Sequence, residues 1–352
     1  MSNLNAKILE SDRYNEWNAF AEQSPQGDVF CNSWWLDATT KSHFKILVII
    51  EKDEIVAGIP LPYDAQNKVN EPPLTRTLGV LYKPQGNLAE HDRLSNQRKW
   101  LSALLENLPL NDFVQMCMHH SFTDWLPFRW KGFKQTTRYT YLIHYQNKSV
   151  DDLRQNLNRG RKNIINRAKK NNIRVEETDD FALLYHFECL SYERQGMKFR
   201  IPFDDLKSLD DAIKKNGNRL ILKAIDSSGQ VHALIYVASN AKSAYYLLSG
   251  SDPKYRKMGG HTLVLWEALK FFRDKAEYFN FGGSDIKQIE EHVSGFGGVM
   301  TPYYHVYNES LMWKRTDIRY HLKETSFHLN EIWKILKNKS VKLFRQNKNV
   351  TS

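Results

Sequence analysis

The sequence predicts an α/β protein of the α+β kind with two tandem domains, each a mixed, largely antiparallel sheet flanked by helices, and a C-terminal helix. Its 352 residues suit two domains of ~150 to 200 residues better than one core. Runs with strand-like alternation are interspersed with runs of helical spacing. Two stretches of the first half recur in the second. We expect an N-terminal domain over 1–148, a second domain over 149–309 and a basic amphipathic helix and tail over 310–352.

Composition narrows the class of protein. Hydrophobic residues make up 41% and aromatic residues 12% of the chain, which predicts a packed structure and excludes a disordered one. No apolar run reaches the ~18 residues that a membrane span needs, and the first residues do not resemble a signal peptide. Three scattered cysteines fit neither a disulfide framework nor a metal site: Cys31, Cys117 and Cys189. We therefore expect a cytoplasmic protein without a metal.

The first half reads as two helices, a hairpin, a helix, a strand, a helical turn and a strand. Helical spacing marks residues 14–23, 34–40 and 91–108. Alternating, β-rich runs mark 44–50, 55–61, 112–118 and 134–145. The turn Lys52-Asp53-Glu54 joins the first two of these strands into a hairpin.

The second half begins where Ser149 caps a helix whose first turn carries Asp151 and Asp152. We expect that helix to run over 150–171. Further helices are expected at 181–194, 203–215 and 261–275, and strands at 173–176, 219–225, 231–239, 244–249, 278–281 and 303–307. Residues 254–260 are expected to form a loop.

Internal similarity indicates a duplication. Residues 44–61 resemble residues 220–237, because both have an apolar strand, a turn with an aspartate and a second apolar strand. Gly132-Phe133 and the strand after it resemble Gly295-Phe296 and the strand that follows. The two matches occur in the same order, which favours two copies of one unit.

The loop before the helix at 261–275 has the features of an anion site. A strand runs into a segment that carries Arg256, Lys257, Gly259 and Gly260, and this segment opens a helix. Glycines let the backbone approach an anion, and a helix N-terminus adds partial positive charge to that of the two basic side chains. Such a loop cradles a pyrophosphate. The alternative is a plain strand-to-helix turn that needs glycine for its geometry alone.

This segment resembles the acyl-CoA-binding loop of GNAT acyltransferases, in which Arg or Gln is followed after two residues by Gly and, one residue further, by Gly or Ala. Arg256 and Gly259 match the pattern, whereas His261 departs from it. The resemblance implies an acyl-CoA donor, acetyl-CoA in the simplest case. Its phosphates would be held by the loop, at Arg256, Lys257, Met258, Gly259, Gly260 and His261.

A wider resemblance extends over most of residues 150–307. The basic helix and strand at 161–175, the Phe279–Gly283 segment and the later Phe296-Gly297-Gly298 are similar to elements of FemAB-like proteins. The chain therefore resembles a FemAB-like, tandem-GNAT protein of the acetyltransferase branch. This implies transfer of an acyl or aminoacyl group to an acceptor amine, on an envelope precursor, an amino sugar or a small amino compound.

The same resemblance implies roles for individual residues. A backbone N–H of the strand before the loop, at Leu248 or Ser249, would polarise the donor carbonyl. A general base would remove the amine proton. By position the candidates for that base are Glu193, Asp252 and Asp285, with Tyr246 or Tyr303 as acids. The two aspartates read equally well as turn and loop residues.

Two basic segments leave alternatives open. For residues 154–170, from Arg154 to Lys170, there are two alternatives. The basic side chains would contact the phosphates of tRNA, or they would be solvated while the apolar side of the helix packs on the sheet. The C-terminal helix would pack on the first domain, contact a second copy or lie on an anionic membrane.

Three functions follow from these features. The first is an N-acyltransferase that uses an acyl-CoA. The second is an aminoacyl-tRNA-dependent peptidyltransferase, which the net charge of +10 favours. The third is a non-catalytic binding protein, which the departure at His261 keeps open.

Overall fold

Two β-sheets organise the described part of the chain, residues 4–108, 113–194, 196–283 and 287–308 of the computed structural model. The smaller sheet has the strand order β1-β2-β3-β4 and is antiparallel: β1 is Ala6–Ile8, β2 Phe44–Glu51, β3 Glu54–Pro62 and β4 Leu81–Tyr82. The larger has eight strands in the order β5-β12-β6-β11-β10-β9-β8-β7. These strands are β5 Gln115–Cys117, β6 Lys134–His144, β7 Arg174–Glu177, β8 Asn218–Ile225, β9 Val231–Ser239, β10 Ser243–Ser251, β11 Tyr278–Asn280 and β12 Val299–Tyr307.

Helices cover both sheets. They are α1 Tyr14–Gln23, α2 Ser33–Thr40, α3 Glu90–Glu106, α4 Leu126–Trp130, α5 Val150–Asn156, α6 Arg159–Lys170, α7 Phe181–Glu193, α8 Phe203–Asn216, α9 Gly260–Phe272 and α10 Lys287–Ser294. Helices α6 and α9 share a core with one face of the large sheet, and α7 and α8 share a core with the other. Strand β9 shows why: Ile235 and Val237 face the first core and Leu234 and Tyr236 the second, as period-two alternation requires.

The two sheets confirm the predicted fold class. They differ in one respect from the expectation that each half of the chain forms its own sheet. The last two strands of the first half, β5 and β6, lie in the large sheet, where β6 separates β12 from β11 and is antiparallel to both. Residues 1–307 form one compact unit. The domain boundary at residue 148 stays a prediction. The predicted C-terminal helix lies outside the described residues.

Local sequence signals account for the starts of α5 and α6. Ser149 and Asp152 form the predicted capping box, in which each side chain bonds the other residue's backbone N–H. The single helix predicted over 150–171 is wrong, because it is interrupted after α5. Asn158 then caps α6 by accepting a 2.8 Å hydrogen bond from the N–H of Arg161. Helix α10 lies between the strands predicted at 278–281 and 303–307, where no helix was predicted.

Candidate active site

The centre of the large sheet contains an opening between β10 and β11. These strands are parallel and pair only through Ser243–Tyr245 and Tyr278–Asn280. A bulge in β10 between Tyr246 and Leu248 shifts its register with β9, and β11 ends at Asn280. Gly282 and Gly283 then take positive φ angles of 78° and 67°, which turn the chain away. The outer half of β10 therefore has an edge that β11 does not pair.

A buried carboxylate occupies this open edge. Glu188 of α7 is 7% exposed and accepts a 3.1 Å hydrogen bond from the backbone N–H of Ser249. Burial raises the pKa of Glu188 to about 7, although this hydrogen bond and the charge of Arg76 oppose the rise. Because successive N–H groups of a strand point to opposite edges, the N–H of Leu248 points toward β9. Of the two predicted oxyanion donors, Ser249 is the one at the open edge.

Close packing of α7 on β10 fixes the position of Glu188. A Cβ at Gly250 would lie 2.3 Å from the backbone carbon of Phe187, so only glycine allows this approach. Phe181, Leu184 and Glu188 lie on the buried side of the helix at i, i+3 and i+7. Glu188 thus occupies a position at which an apolar residue is the norm. Burying its carboxylate there costs free energy unless hydrogen bonds or a charged partner stabilise the ionised form.

Arg76 reaches the same edge from the first half of the chain. Its Nη2 donates to the carbonyl oxygen of Leu247 at 3.4 Å. Its Nε is buried and has no hydrogen-bond partner among the described residues. A Cβ at Gly282 would lie 3.1 Å from this nitrogen, so the glycine leaves room for the guanidinium. The carbonyl of Leu247 and the N–H of Ser249 are therefore both engaged by charged side chains, where a paired strand would otherwise engage them.

Tyr246 connects the open edge to the start of α9. Its hydroxyl donates to the Oγ of Ser249 and lies 3.3 Å from the Nε2 of His261. Burial, reinforced by Arg161 and neighbouring arginines, lowers the pKa of His261 to about 4 and that of His292 well below its usual value. Both imidazoles, whose centroids are 5.1 Å apart, are therefore neutral at pH 7.

The predicted donor loop has the geometry of an anion site. Arg256–Met258 form one 3-10 turn in which Arg256 and Lys257 are exposed, whereas Met258 packs against the core. Gly259 has φ 91°, and no side chain caps the N-terminus of α9 that follows it. A Cβ at Gly259 would lie 2.9 Å from the carbonyl oxygen of Ile164 on α6. The uncapped N–H groups and the two basic side chains suit a phosphate ligand.

The structure describes two of the three side chains predicted as bases, Glu193 and Asp252. Glu193, the last residue of α7, is exposed. Asp252 is half-buried and forms a turn, accepting a 2.8 Å hydrogen bond from the N–H of Lys254. Asp285 lies outside the described residues. Of the predicted acids, Tyr246 is at the opening and Tyr303 lines a small cavity beside Arg76.

Sequence reasoning missed Glu188 and Arg76. The signal for Glu188 was present, because a charged residue at a core position of an amphipathic helix predicts a buried, functional group. Arg76 lies in a loop without periodicity and meets its partner Leu247 171 positions away. No local pattern marks it.

Among the described residues, one cluster has side chains of the types that bind metal ions. Glu71, Cys117 and His305 bring ligand atoms within 4.8 Å of one another. Arg138 donates to the Sγ of Cys117 at 3.1 Å, and its charge opposes a cation there. We assign no metal to this cluster.

The basic segment forms two helices, α5 and α6, with a buried apolar side and an exposed basic side. Leu157, Ile165 and Ala168 are buried and pack into the core, as predicted for the apolar side. Arg159, Arg167, Lys169 and Lys170 are exposed. In the described part of the chain, no helix is long and apolar enough to cross a membrane.

Comparisons with known proteins show which domain family and which folds this chain is similar to. Residues 151–291, which include α7, β10 and the donor loop, match the family model described as acetyltransferase (GNAT) domain. No curated protein sequence matches the chain.

Solved structures extend the likeness to the rest of the described fold. A crystal structure of FemX has a TM-score of 0.64 at 13% identity, over 86% of this chain and 97% of that one. A tandem GNAT protein from the clavulanic acid biosynthesis pathway has 0.52 at 10% identity, over 86% and 97%. L-PGS from Bacillus licheniformis has 0.51 at 12% identity, over 88% and 95%. The chain thus has the GNAT/FemAB-like acyltransferase fold, with its GNAT domain in the second half.

Proposed function

We propose that this protein is an N-acyltransferase that transfers an acyl group from a CoA thioester to an acceptor amine. The open edge of β10 carries the proposal, because it places a backbone N–H and a buried carboxylate of raised pKa together. The edge leads directly into the glycine-containing loop at the start of α9. The GNAT match over residues 151–291 supports the same assignment.

The donor would lie along the open edge. Its phosphates would bind the N-terminus of α9 and the side chains of Arg256 and Lys257. Its carbonyl would point toward the N–H of Ser249, which is now hydrogen-bonded to Glu188. A carbonyl oxygen that takes over this N–H would release the carboxylate and remove a bond that lowers its pKa. Donor binding would therefore strengthen Glu188 as a base.

The proposed reaction transfers the acyl group from the sulfur of the donor to the nitrogen of the acceptor. The lone pair of the acceptor nitrogen attacks the carbonyl carbon, a C–N bond forms, and Glu188 takes a proton from the nitrogen. The N–H of Ser249 stabilises the negative charge on the oxygen. The C–S bond breaks when the intermediate collapses. The sulfur takes a proton from the hydroxyl of Tyr246, water restores the proton of Tyr246, and Glu188 releases its own proton to water.

His261 does not argue against this site. Its ring is directed to Tyr246 and His292, inside the fold, and the first turn of α9 keeps its N–H groups uncapped. The buried carboxylate of raised pKa at this edge favours catalysis over simple binding. The binding-protein hypothesis stays the third candidate.

A second candidate is transfer from an aminoacyl-tRNA. The exposed basic residues of α6 favour it, since they lie beside the donor loop and suit phosphates of RNA. The likeness to FemX and L-PGS is one of fold and is compatible with either donor.

A thermal-shift titration separates these candidates. A ligand that binds only the folded state raises Tm by mass action. We expect acetyl-CoA or CoA to raise Tm in the wild type and not in Arg256→Gln, whereas Arg174→Gln, on the far strand β7, keeps the shift. A salt-sensitive shift with bulk tRNA and none with CoA would overturn the CoA proposal in favour of aminoacyl transfer. No shift with either would leave the binding-protein hypothesis ahead.

A further inference from the structure

A small cavity lies where β10 and β11 separate. It is lined by the last paired residue of each strand, Tyr245 and Asn280, by Thr140 and Tyr303 of the adjacent strands, and by Arg76 and Thr77 from the first half of the chain. Arg76 links this cavity to the open edge, because its Nη2 also donates to the carbonyl oxygen of Leu247. A molecule in it would approach the donor carbonyl from the side of the first half.

Several polar groups in the walls of this cavity already have partners. The hydroxyl of Tyr245 donates to the buried Asp28 at 3.0 Å, and that of Thr77 bonds the same carboxylate. The hydroxyl of Thr140 donates to the Oδ1 of Asn280 at 2.6 Å. These groups are satisfied within the protein and stay in place when the cavity is empty or filled.

Arg76 differs from them. Its Nε is buried and has no hydrogen-bond partner among the described residues, and the hydrogen bond from its Nη2 to the carbonyl oxygen of Leu247 is long at 3.4 Å. The guanidinium is a planar donor that matches carboxylate and phosphate groups. Burial lowers the pKa of His120, another wall residue, to about 4 and leaves it neutral. Among the described residues that line the cavity, Arg76 is thus the one that carries charge at pH 7.

We propose that Arg76 binds an anionic group of the acceptor, a carboxylate or a phosphate, so that the acceptor amine belongs to a molecule that also carries such a group. This rests on the proposed function and names the substrate class for the same site. An anion on Arg76 fixes one end of a small molecule beside Leu247, two residues along the open edge from Ser249. The amine at its other end then lies near Glu188.

Matched pairs of acceptors test the proposal. Glycine is compared with glycinamide, and glucosamine 6-phosphate with glucosamine, as acceptors from acetyl-CoA. We expect the wild type to prefer the anionic member of at least one pair in kcat/KM by about tenfold or more, as a charge-assisted hydrogen bond implies. The preferred pair identifies carboxylate or phosphate. Equal rates within both pairs would overturn the proposal.

Arg76→Gln, Arg76→Lys and Arg174→Gln complete the design. Arg174 is exposed on the strand at the far end of the sheet, so its variant removes one positive charge away from the cavity. We expect Arg76→Gln to abolish the preference through a higher KM for the anionic acceptor, Arg76→Lys to restore part of it and Arg174→Gln to keep it. A purely structural Arg76 would lower the rates for all acceptors alike.

A binding measurement separates this proposal from the proposed function. Calorimetric titration with inorganic phosphate, glycine and glucosamine 6-phosphate needs no turnover, and it is made in the Arg256→Gln background because the donor loop also suits a phosphate. Loss of binding in Arg76→Gln supports the anion site even if no amine is acylated, in which case the proposed function fails alone. The anion site would be overturned if none of the three probes bound, or if Arg76→Gln left their binding unchanged. The titration with acetyl-CoA tests the proposed function separately.

Discussion

The backbone N–H of Ser249 donates to the carboxylate of Glu188 over 3.1 Å, across 61 positions of the chain. This bond joins the group suited to stabilising an oxyanion with the group suited to removing a proton. It forms because α7 packs against Gly250 while β11 turns away. The relationship makes Glu188 the base that we expect to be essential.

Glu188→Gln is expected to lower kcat by about 100-fold or more, the range that general bases contribute. Glutamine keeps the size of the side chain and an oxygen that accepts from Ser249, so donor binding should persist. Glu193→Gln, one turn further along α7 and exposed, should stay near wild-type activity. Steady-state acyl transfer with acetyl-CoA measures both. The reverse pattern would return the role to the glutamate that the sequence suggested.

The activity should depend on pH through the same carboxylate. Because the pKa of Glu188 is raised to about 7, kcat/KM should rise about tenfold per pH unit below pH 7 and level off above it. A pH–rate profile measures this. Repeating it with acceptors of different amine pKa separates the ionisation of the amine, which moves between acceptors, from that of the enzyme, which does not.

The contribution of Glu188 to the stability of the folded state should fall as pH rises, whereas the activity should rise. The folded state keeps its proton on Glu188 up to about pH 7, whereas the unfolded chain loses it near 4.5, so stability falls as pH rises between these values. Glu188→Gln, which cannot ionise, should match the wild type at pH 4.5. Above pH 7 it should be more stable, by at most about 3 kcal/mol. Chemical denaturation at the two pH values is the measurement, and equal stabilities at pH 8 would contradict the raised pKa.

The donor loop should be sensitive to a Cβ at Gly259. Gly259→Ala strains a backbone at φ 91° and places the new carbon 2.9 Å from the carbonyl of Ile164, so loss of CoA binding is expected. Gly229→Ala is the control, since Gly229 has φ 85° in a turn with nothing within 4 Å of its Cβ position. It should cost about 1 kcal/mol of strain and leave binding intact. Calorimetric titration of both variants, with Tm measured alongside, distinguishes strain from contact.

His261 provides a direct test of the departure from the family pattern. Because its ring lies inward against Tyr246, His261→Ala should change the affinity for CoA by less than about threefold and lower Tm through the cavity left behind. Calorimetric titration measures the first and a thermal melt the second. A large gain in affinity would show instead that the imidazole obstructs the phosphates in the wild type.

The predictions that were confirmed depend on residues that are near one another in the chain. The Ser149–Asp152 capping box and the hairpin β8–β9 follow from side chains and turns a few positions apart. The uninterrupted helix over 150–171 was wrong because Asn158, a good capping residue, was not recognised inside a basic run.

The sequence by itself determined the fold class, the apolar faces of the helices and the glycine-containing loop before α9, because hydrophobic period, capping and turn chemistry act over a few residues. The tertiary structure alone decided which strand edge is open and which carboxylate lies on it. Burial sets the pKa of Glu188, and burial depends on α7 packing against β10. Arg76 reaches its place through a contact 171 positions away, at a distance that no local pattern encodes.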